Sequence, residues 1–159
     1  WFGNSIYINS IKNFEQIKNI VFSQDFPWTY NEYCIDPPAP QVSQFTHVFF
    51  WNNIARETYP IIMPLVDKLN PKSIGKIKAN LNLKTEKIIE TGEHTDTVDE
   101  RFTSAVYFFN DNNGYCKINN EKIYSKANSI VMFKSNTPHT GSTCTDKNRR
   151  VLLNFVYID

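Results

Sequence analysis

The stretch that decides the predicted fold is FTSAVYFFNDNNGYCKI, which occupies residues 102–118. Both ends of the stretch are rich in the aromatic and β-branched side chains that strands favour. Between them, residues 110–114 supply the asparagine, aspartate and glycine residues that tight turns use. We therefore predict two strands, at residues 102–109 and 115–118, joined by a turn.

Further strands are predicted on both sides of this stretch. From residue 77 to residue 84, apolar and polar side chains alternate, which predicts a half-buried strand. Lys78 lies on its polar face, and we interpret Lys72, Lys76 and Lys78 as a solvated surface. Further strands are predicted at residues 87–90, 129–133 and 150–157, with another turn at Asn119 and Asn120.

Helical spacing is confined to the first half of the chain. Apolar residues recur every three or four positions over residues 10–22, which predicts an amphipathic helix with Ser10 as its N-cap. A second helix is predicted over residues 58–69, with Pro60 in its first turn, where proline is tolerated. The proline-rich residues 27–40 show no period and are expected to form a loop.

Helices followed by many short strands predict an α+β domain, mainly β, built on an antiparallel sandwich or barrel. The 159 residues have the length of one domain with its own core. We expect residues 1–72 to form helical and loop support and residues 73–159 to form the β core.

Composition limits the classes of partner. Seventeen basic side chains face sixteen acidic ones, a net charge of +1 that argues against nucleic-acid binding. No apolar run approaches the roughly 18 residues of a membrane span, and no targeting segment is visible. We therefore expect a soluble cytoplasmic monomer, located in the host cytoplasm if the protein is viral. The odd set Cys34, Cys116 and Cys144 argues against a disulfide framework.

Two histidines and one aspartate form a candidate metal site. His94 and Asp96 lie two positions apart, so in extended backbone both side chains point to the same face. His139 follows several predicted strands later, where the chain can return to the same site. Two imidazoles and one carboxylate with open positions are the ligand set of non-haem Fe(II) oxygenases. His47 has no partner at metal-ligand spacing, so we predict a packed or helix-end histidine.

A candidate anion-binding residue follows the third metal ligand. Arg150 begins an apolar strand, where an unpaired guanidinium would be costly, and its planar fork fits a carboxylate. A dicarboxylate could chelate the metal through a 2-oxo acid end and place its other carboxylate on this arginine. Arg149 is the alternative for this role and must point to the opposite face of the strand.

With these motifs the sequence resembles the 2-oxoglutarate- and Fe(II)-dependent dioxygenases, in particular the prolyl 4-hydroxylase-like branch found in many bacteria and phages. The resemblance covers residues 77–157. It is carried by His94-Thr95-Asp96, by Arg101 with the strand that follows it, by Pro138-His139, and by Arg150 followed by Asn154.

The resemblance implies a double-stranded β-helix, or jelly roll, with supporting N-terminal helices. It implies that His94, Asp96 and His139 bind Fe(II), that Arg150 binds 2-oxoglutarate with help from Asn154, and that Arg101 lies near the substrate. O₂ would be the second cosubstrate and ascorbate a reductant. The implied reaction hydroxylates a C–H bond of the substrate, with release of succinate and CO₂. The substrate that we expect first is a prolyl residue of a peptide or protein.

Two departures from the prolyl branch keep other substrates open. Phe108 stands where a tyrosine hydroxyl usually meets the cosubstrate, and Val156 stands where a tryptophan usually lies near the peptide. The alternatives are a free amino acid, another protein side chain or a nucleobase. Nucleic-acid demethylating members usually carry a second arginine at the position of Val156. A non-catalytic jelly-roll binding module is the alternative from a different class.

Overall fold

The computed structural model describes residue 11, residues 13–35, residue 40 and residues 42–159. Within this part the chain forms few helices and many strands, which confirms the predicted α+β, mainly β class. The helices are α1 (Phe14–Val21), a 3₁₀ helix (Tyr59–Ile62) and α2 (Met63–Leu69). The strands are β1 (Thr29–Asn31), β2 (Gln44–Trp51), β3 (Ile54–Ala55), β4 (Ser73–Leu83), β5 (Thr103–Phe108), β6 (Tyr115–Ile118), β7 (Glu121–Tyr124), β8 (Ser129–Lys134), β9 (His139–Gly141) and β10 (Arg149–Ile158).

The strands form two antiparallel sheets. The larger sheet has the order β1-β2-β4-β10-β5-β8, with β3 paired to β2, and the smaller sheet has the order β7-β6-β9. Strand β10 lies inside the larger sheet, where Asn154 is opposite Lys78 of β4 on one side and Val106 of β5 on the other. The site residues of these three strands are therefore held in fixed register.

Alternate residues of β10 face two different cores. Val151, Leu153 and Phe155 pack in the main core with the helices, which includes Ile17 and Leu65. On the opposite face, Leu152 packs in a second cluster with residues of β5, β6 and β8, namely Val106, Phe108, Cys116, Ile118, Val131 and Phe133. Because side chains alternate along a strand, Arg150, Leu152 and Asn154 share the face that is turned toward the smaller sheet.

The helices cover the outer face of the larger sheet. Helix α1 begins after Asn13, which has a φ of 83°, and buries Ile17 and Val21. The predicted cap residue Ser10 lies outside the described residues. The second predicted helix is confirmed as a 3₁₀ turn leading into α2, which ends at Leu69 and is followed by Asn70 with a φ of 47°. The apolar stripe of α1 thus closes the main core.

The predicted turn at Asn119 and Asn120 is confirmed. These residues have φ values of 50° and 66° and join β6 to β7 in a two-residue hairpin. Positive φ at both central positions is the requirement of a type I′ turn, and asparagine tolerates it. The hairpin joins two of the three strands of the smaller sheet, which covers the site.

Three strands lie where we expected helices and loops. Strand β1 falls inside the predicted loop, and β2 and β3 precede the second helix. Strand β2 is hidden in the sequence because its run of aromatic and apolar residues does not alternate, as happens when both faces of a strand are partly covered. Conversely, residues 87–90 are not a strand; only Glu90 makes a single bridge, to Ser142.

Candidate metal centre

A cavity of about 210 Å³ opens between the two sheets. Its floor consists of even-numbered residues of β4 and β10, and its opposite wall consists of residues 91–96 and strands β6 and β9. Ligand pockets commonly measure roughly 300–1,000 Å³, so this space suits a compact acid better than a large molecule.

His94, Asp96 and His139 meet at this cavity. Each offers one ligand atom, and these atoms all lie within 4.8 Å of one another. The backbones of His94 and His139 form an antiparallel bridge through two hydrogen bonds of 2.9 Å. The Asp96 amide donates to the Ser135 carbonyl at 3.0 Å, which fixes the carboxylate two positions beyond the first histidine. The three predicted ligand residues are therefore brought together.

Backbone carbonyls orient both imidazoles. The Nδ1 atom of His139 is 2.9 Å from the Thr137 carbonyl oxygen, and the Nδ1 atom of His94 is 3.3 Å from the Gly92 carbonyl oxygen. A carbonyl oxygen only accepts, so each Nδ1 carries the hydrogen and donates it. In the neutral rings Nε2 is then an unprotonated lone pair, which is the form that binds a metal ion.

The Asp96 carboxylate is buried and held by three neighbours. Its side chain is 3% exposed. Oδ2 accepts a hydrogen bond from the Ser104 hydroxyl, while Oδ1 accepts one from Asn154 Nδ2 at 3.1 Å and lies 3.5 Å from Lys76 Nζ. The Ser104 hydroxyl is in turn 2.8 Å from that of Ser135. These contacts keep the carboxylate in one orientation toward the histidines.

The surroundings of Asp96 and His94 favour the protonation states that bind a metal ion. Burial by itself would raise the pKa of Asp96, but the Lys76 ammonium, the Ser104 and Asn154 hydrogen bonds and the neighbouring His139 together outweigh it and leave the pKa lowered. Burial, reinforced by neighbouring His139, lowers the pKa of His94 below its ordinary value. Near neutral pH the carboxylate is thus ionised and this imidazole neutral.

The donor set fits the metal that the sequence suggested. Within the described residues the cluster has two nitrogen ligands and one carboxylate, whereas a structural zinc site normally has four protein ligands. Three ligands of this type leave coordination positions open, as in the non-haem Fe(II) oxygenases. The cavity beside the three residues supplies the space for further ligands.

Arg150 lies in the same cavity and is almost completely buried, at 1% exposure. Its Nε donates to the Ser125 hydroxyl at 2.8 Å, its Nη2 lies 3.5 Å from Cys116 Sγ, and its guanidinium carbon lies 5.6 Å from the centre of the Phe108 ring. No described residue places a carboxylate within salt-bridge distance of it. Because a buried cation without a counter-ion is costly, this side chain requires an anion.

Arg149 lies on the other face of β10, as strand alternation predicts. Its guanidinium packs over the Phe22 ring at 4.3 Å, and its Nη2 donates to the Phe22 carbonyl. It is not among the residues that line the cavity. Of the two candidate arginines, the structure therefore directs only Arg150 into the cavity.

The other two predicted site residues lie in different surroundings. Asn154 lines the cavity, but its amide nitrogen donates to Asp96, and its Oδ1 is buried with no partner among the described residues. Arg101 is 75% exposed, forms an ion pair with Asp99 at 2.6 Å and does not line the cavity. Its proximity to the substrate stays a prediction.

The interpretation of Lys76 and Lys78 as a solvated face is wrong. Both line the cavity, because β4 is an internal strand whose polar face meets the smaller sheet. The sequence analysis also missed Ser104, a fully buried hydroxyl bound to Asp96. The alternation of polar and apolar residues in β4 could have revealed this. When every second residue of an internal strand is polar, that face of the strand must meet something other than the apolar core.

His47 is a packed histidine, as predicted, and it lies on β2. Its ring centroid is 4.6 Å from that of Phe26 and 4.7 Å from that of Phe49. Both nitrogens have partners, the Pro27 carbonyl at 2.9 Å and the Thr58 hydroxyl at 2.7 Å. It therefore contributes to packing and lies apart from the metal centre.

Comparison with known proteins identifies the fold. No protein-family model matches the chain, and no curated protein matches its sequence significantly. A prolyl hydroxylase from Trichoplax adhaerens, solved with a hypoxia inducible factor oxygen degradation domain peptide fragment, superposes with a TM-score of 0.65 at 14% identity, over 99% of this chain and 83% of that one.

Two further structures superpose at a TM-score of 0.61. A prolyl-4-hydroxylase from Pseudomonas putida is 11% identical over 99% of this chain and 92% of that one. HygX from Streptomyces hygroscopicus, solved with nickel and 2-oxoglutarate bound, is 8% identical over 98% of this chain and 82% of that one. At these identities the likeness shows the fold.

The chain is therefore a double-stranded β-helix, or jelly-roll, protein, which confirms the expected fold. Within this fold the chain has a cavity lined by two histidines, one aspartate and a buried arginine. Among the helices of the described residues, none is long and apolar enough to cross a membrane.

Proposed function

We propose that the protein is an Fe(II)- and 2-oxoglutarate-dependent dioxygenase. The observation that carries this proposal is the position of Arg150, a buried cation without an acidic partner among the described residues, in the same cavity as the three metal-ligand candidates. Together they match a dicarboxylate that chelates a metal at one end and requires a cation at the other.

In this proposal His94, Asp96 and His139 hold Fe(II). With 2-oxoglutarate and O₂, the bound metal would provide the chemistry that oxidises an unactivated C–H bond, with release of succinate and CO₂. The protein keeps the ligands in one geometry through the carbonyls that fix both Nδ1–H groups and through the Ser104 and Asn154 hydrogen bonds to the carboxylate. Such orientation preserves the open positions.

Arg150 holds the distal carboxylate of 2-oxoglutarate. Its Nε and Nη2 are occupied by Ser125 and Cys116, and Nη1 has no acceptor among the described residues. Gly114 makes room for this side chain, since a Cβ there would lie 2.6 Å from Arg150 Cδ. Burial strengthens a charge-assisted hydrogen bond, because water does not compete for the guanidinium. HygX, of the same fold, was solved with 2-oxoglutarate bound.

We propose a prolyl residue of a peptide or protein as the first substrate to test. The support is the whole-length likeness to two prolyl hydroxylases, one of them solved with a peptide. The cavity measures about 210 Å³, so the metal and cosubstrate would occupy much of it. Phe108 and Val156 depart from that branch, so a broad panel of peptides and free amino acids is required.

The experiment is an assay of succinate formation in air with Fe(II), 2-oxoglutarate and ascorbate, with and without proline-containing peptides. We expect peptide-stimulated succinate that is lost in the His139→Ala variant and kept in Arg149→Met, which changes an arginine outside the cavity. Binding of metal and 2-oxoglutarate without succinate across the panel would instead favour a non-catalytic jelly-roll module.

A further inference from the structure

Strand β4 brings two lysines into the cavity. Lys76 and Lys78 are separated by the buried Ile77, so their side chains leave the strand on the same face, about 7 Å apart at the backbone. Two ammonium groups on neighbouring positions of one face repel each other. A cavity that is lined by both groups is suited to bind an anion.

Among the described residues, the charges of the cavity do not balance. Those that line it include three cationic side chains, Lys76, Lys78 and Arg150, and a single carboxylate, Asp96. Lys76 lies 3.5 Å from that carboxylate. Lys78, in contrast, has no hydrogen bond or ion pair with any described residue; burial and the adjacent Lys76 lower its pKa, and the attraction of the more distant Asp96 does not offset them. A half-buried ammonium in this position needs a counter-ion.

The proposed cofactors do not supply this counter-ion. The charges of Fe(II) and of the 2-oxoglutarate dianion cancel, so the positive excess of the side chains remains after both have bound. The distal carboxylate is assigned to Arg150, whose guanidinium contacts Ser125 and Cys116 toward the smaller sheet. With both bound, the described side chains of the site therefore still carry an excess of positive charge.

The register of β4 and β10 places Lys78 at the metal end of the cavity. Lys78 is directly opposite Asn154, which donates to Asp96. Arg150 is opposite Asn82, four residues farther along β4, which corresponds to about 13 Å of strand. The backbone of Lys78 thus lies beside the proposed metal ligands, where the reacting carbon of a substrate must also lie.

We propose that Lys78 binds a carboxylate of the substrate, so that the preferred substrates carry a negative charge close to the carbon that is oxidised. This inference rests on the proposed function for the identity of the neighbouring cosubstrate. The carboxylate has two sources, the α-carboxylate of a free amino acid or an acidic side chain next to the reacting residue of a peptide. Both offer Lys78 the same charge-assisted hydrogen bond.

Two pairs of probes separate these sources. The first pair is L-proline and L-prolinamide, and the second is a proline peptide with Asp or Asn beside the proline. Binding is measured anaerobically by calorimetry with Fe(II) and 2-oxoglutarate present, and succinate formation is measured in air. We expect wild-type protein to bind the acid of at least one pair about tenfold or more tightly than the amide. The pair that shows the preference identifies the source.

Three variants make the test specific. Lys78→Met should abolish the preference for the acid, Lys78→Arg should retain much of it, and Lys84→Met, which changes an exposed lysine outside the cavity, should behave as wild type. The dissociation constant of 2-oxoglutarate, measured without substrate, should stay within about twofold in all three. The thermal midpoint of each variant controls for folding.

The inference is overturned if wild-type protein binds acid and amide equally in both pairs. It is also overturned if Lys78→Met weakens 2-oxoglutarate binding as much as Arg150→Met does, because Lys78 then belongs to the cosubstrate site. A Lys78-dependent preference for the acid without succinate formation would support this inference and contradict the proposed function.

Discussion

His139 Nε2 lies 3.7 Å from Asp96 Oδ2, and the hydrogen of the neutral imidazole is on the opposite nitrogen, where it is donated to the Thr137 carbonyl. A lone pair therefore faces a carboxylate oxygen across a space that is shielded from water. Two acceptors that face each other repel, and a metal ion bound by both would remove this repulsion. This relationship is the physical basis of the metal centre.

The hydroxyl of Ser104 orients Asp96, so its removal should weaken metal binding. We expect Ser104→Ala to lower metal affinity about 10- to 100-fold, the usual effect of losing a partner that orients a ligand. Anaerobic Fe(II) calorimetry measures it. Ser129→Ala is the matched control, because this buried hydroxyl donates to the Lys126 carbonyl instead. Equal affinity of both variants would contradict the role of Ser104.

Replacement of Arg150 should separate cosubstrate binding from stability. Arg150→Met should weaken 2-oxoglutarate binding about 10- to 100-fold, because a charge-assisted hydrogen bond is lost. The cofactor-free variant should unfold at the same temperature or higher, since no acidic side chain in the described part of the chain pairs with the buried charge. The control Arg149→Met should leave 2-oxoglutarate binding unchanged. Comparable loss of affinity in both variants would contradict the assignment.

Gly114 gives a second approach to the same arginine. A Cβ at this position would lie 2.6 Å from Arg150 Cδ and 2.8 Å from the Thr143 backbone oxygen, so Gly114→Ala must displace the arginine or the loop. We expect weaker 2-oxoglutarate binding with unchanged Fe(II) affinity, both measured by calorimetry. A Cβ at Gly141 would meet Thr91 Oγ1 only at 3.6 Å, so Gly141→Ala is the milder comparison. Loss of Fe(II) affinity in Gly114→Ala would contradict the separation of the Arg150 end of the cavity from its metal end.

The packed His47 should make the metal-free protein sensitive to mild acid. Burial lowers the pKa of this imidazole, although the hydrogen bond to the Pro27 carbonyl acts in the opposite direction. The unfolded chain, with an ordinary pKa of about 6.5, then binds the proton first, so stability is full above that pH and falls as the pH drops below it.

Urea unfolding between pH 7.5 and about pH 5.5, with a chelator present, measures this dependence. His47→Gln should be less stable at neutral pH but should lose less stability on acidification than wild type. His94 is unchanged in both proteins, so its own lowered pKa contributes equally to both curves. Parallel curves for the two proteins would contradict the buried, neutral state of His47.

Local patterns in the sequence were sufficient for much of the fold and the site. Alternation along a strand correctly grouped Arg150 with Leu152 and Asn154, and the two-residue spacing correctly placed His94 and Asp96 on one side. Both results depend only on the period of extended backbone.

What the sequence left undetermined depends on contacts between distant strands. Alternation shows which residues share a face, but not whether that face meets water or another sheet, and for this reason Lys76 and Lys78 were misassigned. The hydrogen bond from Asn154 to Asp96 likewise arises from the meeting of β10 with a segment far away in the chain. The apolar run of β2 lacked a period and could not be distinguished from other buried segments.

The most direct test of the central claim is an anaerobic titration of the metal-free protein with Fe(II) and then 2-oxoglutarate, followed by visible absorption. We predict a weak metal-to-ligand charge-transfer band that requires both additions, is absent in His139→Ala and requires much higher 2-oxoglutarate in Arg150→Met. The folded state of each variant is checked by circular dichroism. A folded wild-type protein that gives no band at saturating Fe(II) and 2-oxoglutarate would contradict the account.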